Sequence, residues 1–386
     1  MIKIGTRHNL IYPMMFIIFT GIRKIDSILM EIITKFSGSL FLTLIMFIAD
    51  TIAGLIIYLY HLNFLKEKEA SKFMGIELIQ APSEITPPDS TLKIFLLLFF
   101  ASFLDFSEYF VSSYYIPEIF KNNSKSLEWR LKSIIICTSS ILSYFVLEFP
   151  IFKHQILSII IILICLIIVI ITEIINNEKS LEDTILLLLL MLINHIFNSG
   201  IDIIEKYLLE YDFINPFKIL MMEGIMGFLL SLFLLIFQSP LKKLKKAYND
   251  EDVNFFLLII FLILYFLLSG GRNIYRVTTN KLYSPMTKAL SDYILVPLLI
   301  IYYYIMEEDF KVNDKTLLYY FIINLIISFI IVFCGLIYNE LIVLFFCKFE
   351  HDTHYEVSKR AKKIESQAYE LSLNERTNSD SSMSEE

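Results

Sequence analysis

The sequence predicts an all-α, polytopic membrane protein of ten transmembrane helices, and three observations carry that prediction. Hydrophobic residues fill 56% of the 386 positions and charged residues only 19%, for a mean hydropathy of +0.64. Apolar runs of about 20 residues, long enough to cross roughly 30 Å of hydrocarbon, recur from one end to the other. Those runs do not alternate, which excludes the short, dyad-patterned strands of a membrane barrel. The spans fall at 9–31, 38–61, 94–116, 129–148, 152–174, 183–207, 217–237, 254–276, 285–306 and 317–346.

Residues 1–8 form a short N-terminus, and span one follows it without the small-residue site of a cleavable signal. It is the least apolar span: Arg23, Lys24 and Asp26 either face other helices or make 1–36 an interfacial segment. Span two carries Asp50 in MFIADTIAG, the acidic residue set deepest in an apolar run. It reads as a helix–helix hydrogen bond made by a protonated or paired Asp, or as a proton- or solute-linked group. The connection 62–93 holds APSEITPPDS, whose prolines cannot continue a helix. Span three ends in LDFSEYFVSSYYIP, where Asp105 and Glu108 stand at i, i+3, able to pair with a lysine of span four or nine. The one N-x-S/T sequon puts a glycosylation site at Asn122 in the next loop.

Span four opens with SLEWRLKS, where Arg130 is expected to snorkel to the surface. Lys132 either does the same or reaches a central cavity. The short turn EFPIFKHQ makes spans four and five a tight antiparallel hairpin. In span six, Asn194, Asn198, Asp202 and Glu205 fall within about 80° of arc on one helix face. His195, Ser199 and Lys206 widen that face. An Asp or Lys in mid-bilayer costs about 2.5–3.5 kcal/mol, so the face looks inward, bonding neighbouring helices or lining an aqueous cavity. Glu205 and Lys206 are expected at the interface, where the cost is small.

Span seven begins near Glu223 in MMEGIMGF, beside Gly224, a place for close backbone approach. Span eight is interrupted by Gly270-Gly271-Arg272-Asn273. Paired glycines let a helix kink or unwind, and unwound segments in membranes line cavities. Gly270 and Gly271 are therefore the candidate hinge, with Tyr275 beyond them assigned to the solute. In span nine, Ser284, Thr287, Lys288, Ser291 and Asp292 share one side. Lys288 and Asp292, at i, i+4, either neutralise each other or leave Lys288 to meet an anionic solute. Tyr302 to Tyr304 read as an interfacial belt. After 346 the tail 347–386 is hydrophilic and largely disordered, with KRAKKIESQ as a short basic helix.

Several classes are excluded. The net charge of −7 comes from loops and tail, with no basic stripe, so no nucleic-acid partner is expected. Cys137, Cys165, Cys334 and Cys347 make no CxxC. There is no HExxH, GxSxG, P-loop or dinucleotide turn, and HDTH (351–354) reads as a solvated patch. An enzyme, a cofactor and a metal are all unexpected. A modest majority of Lys and Arg falls on the side of the termini, which places both in the cytosol, with LKKLKK (241–246) in discord.

Spans three and eight share an echo: an apolar run, a polar tyrosine-bearing end, then a proline, in 104–117 and 268–285. Two five-helix repeats would make those spans equivalent, and an odd number of helices per repeat inverts the second copy. The repeats would be 9–174 and 183–346.

A family resemblance agrees. IIEKYLLEYDFINPFKILMMEGIMGF (203–228) resembles the signature of the nucleotide-sugar transporter group of the drug/metabolite transporter superfamily. There an acidic-Lys pair closes span six, a proline follows, and an E-G-x-x-G-like motif opens span seven; here these are Glu205-Lys206, Pro216 and Glu223-Gly224-Ile225-Met226-Gly227. Residues 126–170 are similar to helices four and five of that group, and 273–298 to its helix eight–nine junction. The likeness covers about 9 to 346 and is nearest an orphan branch. It implies ten helices in two inverted repeats, alternating access, exchange of solutes, and Lys132 and Lys288 near a solute's phosphates. The chain departs in having only 11 glycines, where members are glycine-rich.

The expected function is therefore a multi-pass secondary transporter of a small, phosphate-bearing metabolite across an endomembrane, Golgi or ER ahead of vacuole or lysosome. Its partners would be an anionic solute and the bilayer, with a homodimer allowed. The competing reading is a non-transporting, transporter-like receptor or scaffold acting through Lys359, Arg360, Lys362 and Lys363 of the tail.

Overall fold

Long runs of Leu, Ile and Phe in an apolar surround can satisfy their backbone within one segment only as α-helix, and helix dominates the computed structural model. The structure describes residues 2–4, 10–34, 36, 39–64, 91–112, 116, 124–176, 181–237, 255–306 and 315–344, with 353, 356, 359, 360 and 363. The first half contains α1 (Ile11–Thr34), α2 (Ser39–Phe64), α3 (Thr91–Phe110), α4 (Ser124–Leu131), α5 (Ile134–Val146) and α6 (Lys153–Asn176). The second contains α7 (Leu181–Glu210), α8 (Pro216–Phe237), α9 (Phe255–Leu282), α10 (Pro285–Tyr293), α11 (Val296–Met306) and α12 (Lys315–Tyr338). Strands β1 (Ile2–Ile4) and β2 (Ile342–Leu344) pair antiparallel, Ile2 opposite Leu344. Asn122, the long connection 65–90, LKKLKK and most of the tail lie outside the described residues.

Among the described residues, 7 helical stretches are long and apolar enough to cross a membrane, within α2, α6, α7, α8, α9, α10–α11 and α12. Helices α1 and α3 are long too, but carry Arg23, Lys24 and Asp26, or Lys93, Asp105 and Glu108. The partition of side chains is the inverse of a water-soluble protein's. On α1, Ile11, Met14, Ile18, Ile22, Ile25 and Leu29 are exposed in one stripe, while Asp50, Asp202, Glu205, Lys206 and Lys288 are buried. This is a multi-pass, all-α membrane protein. Helix α1 packs along α9 and α10 with Asp26 buried and the Arg23 guanidinium 5.8 Å from the Tyr265 ring centroid.

Local chemistry sets the ends. Asn215 accepts from the Phe217 amide at 2.9 Å ahead of Pro216, and Ser284 caps α10 ahead of Pro285, the pattern that satisfies orphan amides and pre-sets φ. Span nine is divided at Ile294-Leu295 because Pro297 follows: it has no N–H and its ring crowds the carbonyl of Tyr293. Span four is divided at Lys132-Ser133 without a proline, the Lys132 amide bonding back to the Trp129 carbonyl at 3.3 Å.

Span ten ends at Tyr338, short of the expected 346. Glu340 takes a left-handed φ of 58°, the Leu341 amide reaches back to the Leu336 carbonyl at 3.0 Å, and the chain leaves as β2. That geometry terminates a helix even without glycine. The kink expected at Gly270-Gly271 is absent, since α9 runs unbroken from Phe255 to Leu282. A Cβ on Gly271 would come 2.4 Å from the Phe19 ring and one on Gly270 3.2 Å from Ala53. These glycines admit α1 and α2 to the α9 surface, as small residues do in membrane helix contacts.

Apolar clusters flank the centre. The largest joins Leu127, Ile135, Ile162, Leu187, Tyr293 and Ile331. Smaller ones hold Phe47 with Phe106 and Tyr265, and Leu98 with Leu208 and Ile219. Between them, where α3, α7, α9 and α10 meet, the side chains turn polar.

Candidate functional site

A helix that must bury charge does so on one stripe, and α9 carries Ser269, Arg272, Asn273, Arg276 and Asn280 at spacings of three and four, all buried. This stripe meets the polar face of α7. Arg276 pairs with Glu205 of α7 and, at 3.0 Å, with Glu223 of α8. Asn280 donates to Glu205 at 3.0 Å and to the Asp202 carbonyl at 2.9 Å. Arg276 thus joins three helices through two carboxylates, a use suited to a planar guanidinium with several fixed donors.

Lys288 enters from the first turns of α10. Its ammonium lies 2.9 Å from Asp202 and 3.0 Å from the Asn198 carbonyl oxygen, with Asp292 at 3.9 Å. Asn198 donates in turn to Glu108 of α3 at 3.1 Å. Lys132, in the break of span four, pairs with Asp292 at 3.1 Å, and Arg272 approaches Asp292 at 3.6 Å. Asp50 of α2 accepts from Asn273 at 2.8 Å on each oxygen.

These groups surround a small pocket lined by Asp105, Glu108 and Tyr109 of α3, Asn198 and Ile201 of α7, Arg272, Asn273 and Arg276 of α9, and Lys288. Its wall mixes cations, carboxylates and amides. Such a wall can hold a charged polar solute by charge-assisted hydrogen bonds.

Of the residues assigned from sequence, Asn198, Lys288, Asp105 and Glu108 line this pocket. Asp202, Glu223, Asp50 and Asp292 brace its cations or amides from behind. Lys132 reaches the network through Asp292 rather than the pocket wall. Asn194 is buried with no hydrogen-bond partner among the described residues and lies apart from the lining. Tyr275 is a correction: one residue, hence 100°, from Arg276, it turns toward α1 and stacks on Phe19 with centroids 5.5 Å apart. Among the described residues Asp105 and Glu108 pair with no lysine; Glu108 accepts from Asn198 instead.

Arg130 does not snorkel. It is buried, pairs with Glu173 of α6 at 3.0 Å, and donates to Tyr320 and Asn324 of α12. Glu205 and Lys206 are both buried within the helical bundle. Lys206 donates to the carbonyls of Asn280, Lys281 and Tyr283 at 2.9, 3.0 and 2.8 Å and pairs with Glu210 at 2.8 Å, closing the C-terminus of α9 with a cation. The adjacent Glu and Lys thus both tie α7 to α9.

Sequence reasoning passed over Arg272, Arg276 and Asn280. The signal was present as a polar stripe at helical period across 269–280, hidden because the glycine pair was read as a break. No group of three or more metal-ligating side chains occurs among the described residues. Compared with known proteins, the chain matches no family model and no curated protein.

Proposed function

We propose that this protein is a secondary carrier that moves a small, charged organic solute, phosphate-bearing in the leading case, by alternating access. The observation that carries the reading is the buried pocket walled by Arg272, Arg276 and Lys288 inside a membrane-spanning helical bundle. A phosphate group would compete with Asp202, Glu205 and Glu223 for those cations.

The helix arrangement supports ten spans in two inverted repeats. Broken spans four and nine hold the same place in two successive groups of five, and interrupted helices at corresponding places mark binding sites in inverted-repeat carriers. Exchanging counterparts between the groups maps the main packing pairs onto one another. The α1–α9 pair becomes α7–α3, α2–α9 becomes α8–α3, and α4–α7 becomes α10–α1; α2–α8 and α6–α12 map onto themselves. The β1–β2 pairing brings the two ends of the helical region to one side, which fits an even number of crossings. Placement in the Golgi or ER membrane rests on the resemblance of 203–228 alone.

The test is exchange in proteoliposomes across a panel of nucleotide sugars and phosphorylated metabolites, with Lys288→Ala alongside. Uptake of at least one anionic solute that the variant loses is the expected result. No uptake, or wild-type uptake by the variant, overturns the site assignment. Flux unchanged on removing 351–386 separates a carrier from a tail-dependent receptor or scaffold.

A further inference from the structure

Four carboxylates around the pocket are matched by four cations: Asp202 by Lys288, Glu205 and Glu223 by Arg276, and Asp292 by Lys132 and Arg272. Three carboxylates of the same polar core are left over. Asp50 receives two hydrogen bonds from Asn273 and Glu108 one from Asn198. Asp105 receives none from the described residues, although it is 8% exposed and lines the pocket.

The charges that face Asp105 do not supply its partner. From α9 come Arg276, already shared by two carboxylates, and Arg272, which lines the same pocket and is drawn to Asp292 at 3.6 Å; from α2, α7 and α8 come the acids Asp50, Glu205 and Glu223. Its own helix adds Glu108 and Tyr109, and Lys288 across the pocket is held by Asp202. Arg23 of α1, near the Tyr265 ring, would offset only one of the three. An unpaired carboxylate withdrawn from water costs several kcal/mol and neutralises itself instead. A phosphate entering this pocket would deepen the negative excess.

We propose that Asp105, with Glu108 beside it, is a proton-binding site, and that the carrier moves its anionic solute together with protons. The proposal rests on the carrier reading of the pocket. In the step itself the carboxylate takes a proton from hydronium on one side, leaving water, and returns it to water on the other. The neutral carboxylic acid then donates a hydrogen bond to the solute's anionic oxygen where the carboxylate would repel it.

Two measurements on the full-length protein in phosphatidylcholine vesicles test this. Infrared difference spectra between acid and alkaline buffer read protonated carboxyl groups directly, without solute. The expected result is a protonated-carboxyl band that persists at neutral pH in the wild type, disappears in Asp105→Asn and returns in Asp105→Glu. Glu108→Gln repeats the comparison should Asp105→Asn fail to elute as a single species. Identical spectra in wild type and folded variants overturn the proton site.

The second measurement is uptake of labelled uridine diphosphate glucose and glucose 6-phosphate with and without an inward proton gradient. Accumulation should rise about tenfold per pH unit for one proton carried, and Asp105→Asn should lose that rise. Uptake indifferent to the gradient overturns the coupling and leaves the carrier standing. Uptake of neither probe under either condition overturns the symport, while the infrared result still decides the proton site.

Discussion

Lys132 sits in the break of span four, Asp292 one turn before Pro297 in span nine, and their side chains meet at 3.1 Å. The two discontinuous spans are thus tied together at the points where their helices stop. The pair is buried on the Asp292 side and 13% exposed on the Lys132 side. Asp292 also receives Arg272 and Lys288, so it collects charge from three helical segments.

Removing Asp292 leaves Lys132 and Arg272 without their carboxylate, whereas removing Lys132 leaves Asp292 with Arg272. Asp292→Asn should destabilise the detergent-solubilised protein by about 3–5 kcal/mol. Lys132→Met should be the less damaging, since Asp292 keeps Arg272 at 3.6 Å, while Lys288 is held by Asp202 in either variant. Thermal unfolding monitored by size-exclusion elution gives the order directly, and a less stable Lys132→Met would reverse this assignment.

Close approach of α2 and α8 depends on glycine. A Cβ on Gly224 would lie 2.5 Å from the Thr51 amide nitrogen and one on Gly54 2.7 Å from that of Met221, whereas Gly21 faces the Leu295 side chain at 3.6 Å. Gly224→Ala and Gly54→Ala should each cost about 1–3 kcal/mol. Gly21→Ala should be neutral or slightly stabilising. Equal melting shifts for all three would contradict the packing.

Lys206 holds three carbonyls at the end of α9, and hydrogen bonds from a charged group are worth about 1.5–3 kcal/mol. Lys206→Met should therefore speed amide exchange over 279–284 while sparing the α9 N-terminal half. Uniform acceleration along α9 would show that the cap is not where the stability lies.

Arg276 bridges Glu205 and Glu223 by separate nitrogens, a geometry an ammonium cannot reproduce. Arg276→Lys should lower stability by about 1.5–3 kcal/mol and impair uptake despite the conserved charge. Wild-type flux in this variant would remove Arg276 from the working part of the pocket.

The long apolar helices were legible in the sequence because a non-alternating apolar run satisfies its backbone in lipid as helix, and the polar face of 194–206 was legible because charge must turn inward. The ends were less so: nothing in the apolar run to 346 announces that Glu340 takes a left-handed turn. Gly270-Gly271 misled because glycine both permits a break and permits contact, and only the neighbours Phe19 and Ala53 decide which. Composition and helical period determined by themselves that this chain crosses membranes and carries an inward polar face. Which cation meets which carboxylate, that Arg276 stands among three helices, and that Asp105 has no partner among the described residues were decided by tertiary packing alone, because pairing depends on distances between helices far apart in the chain.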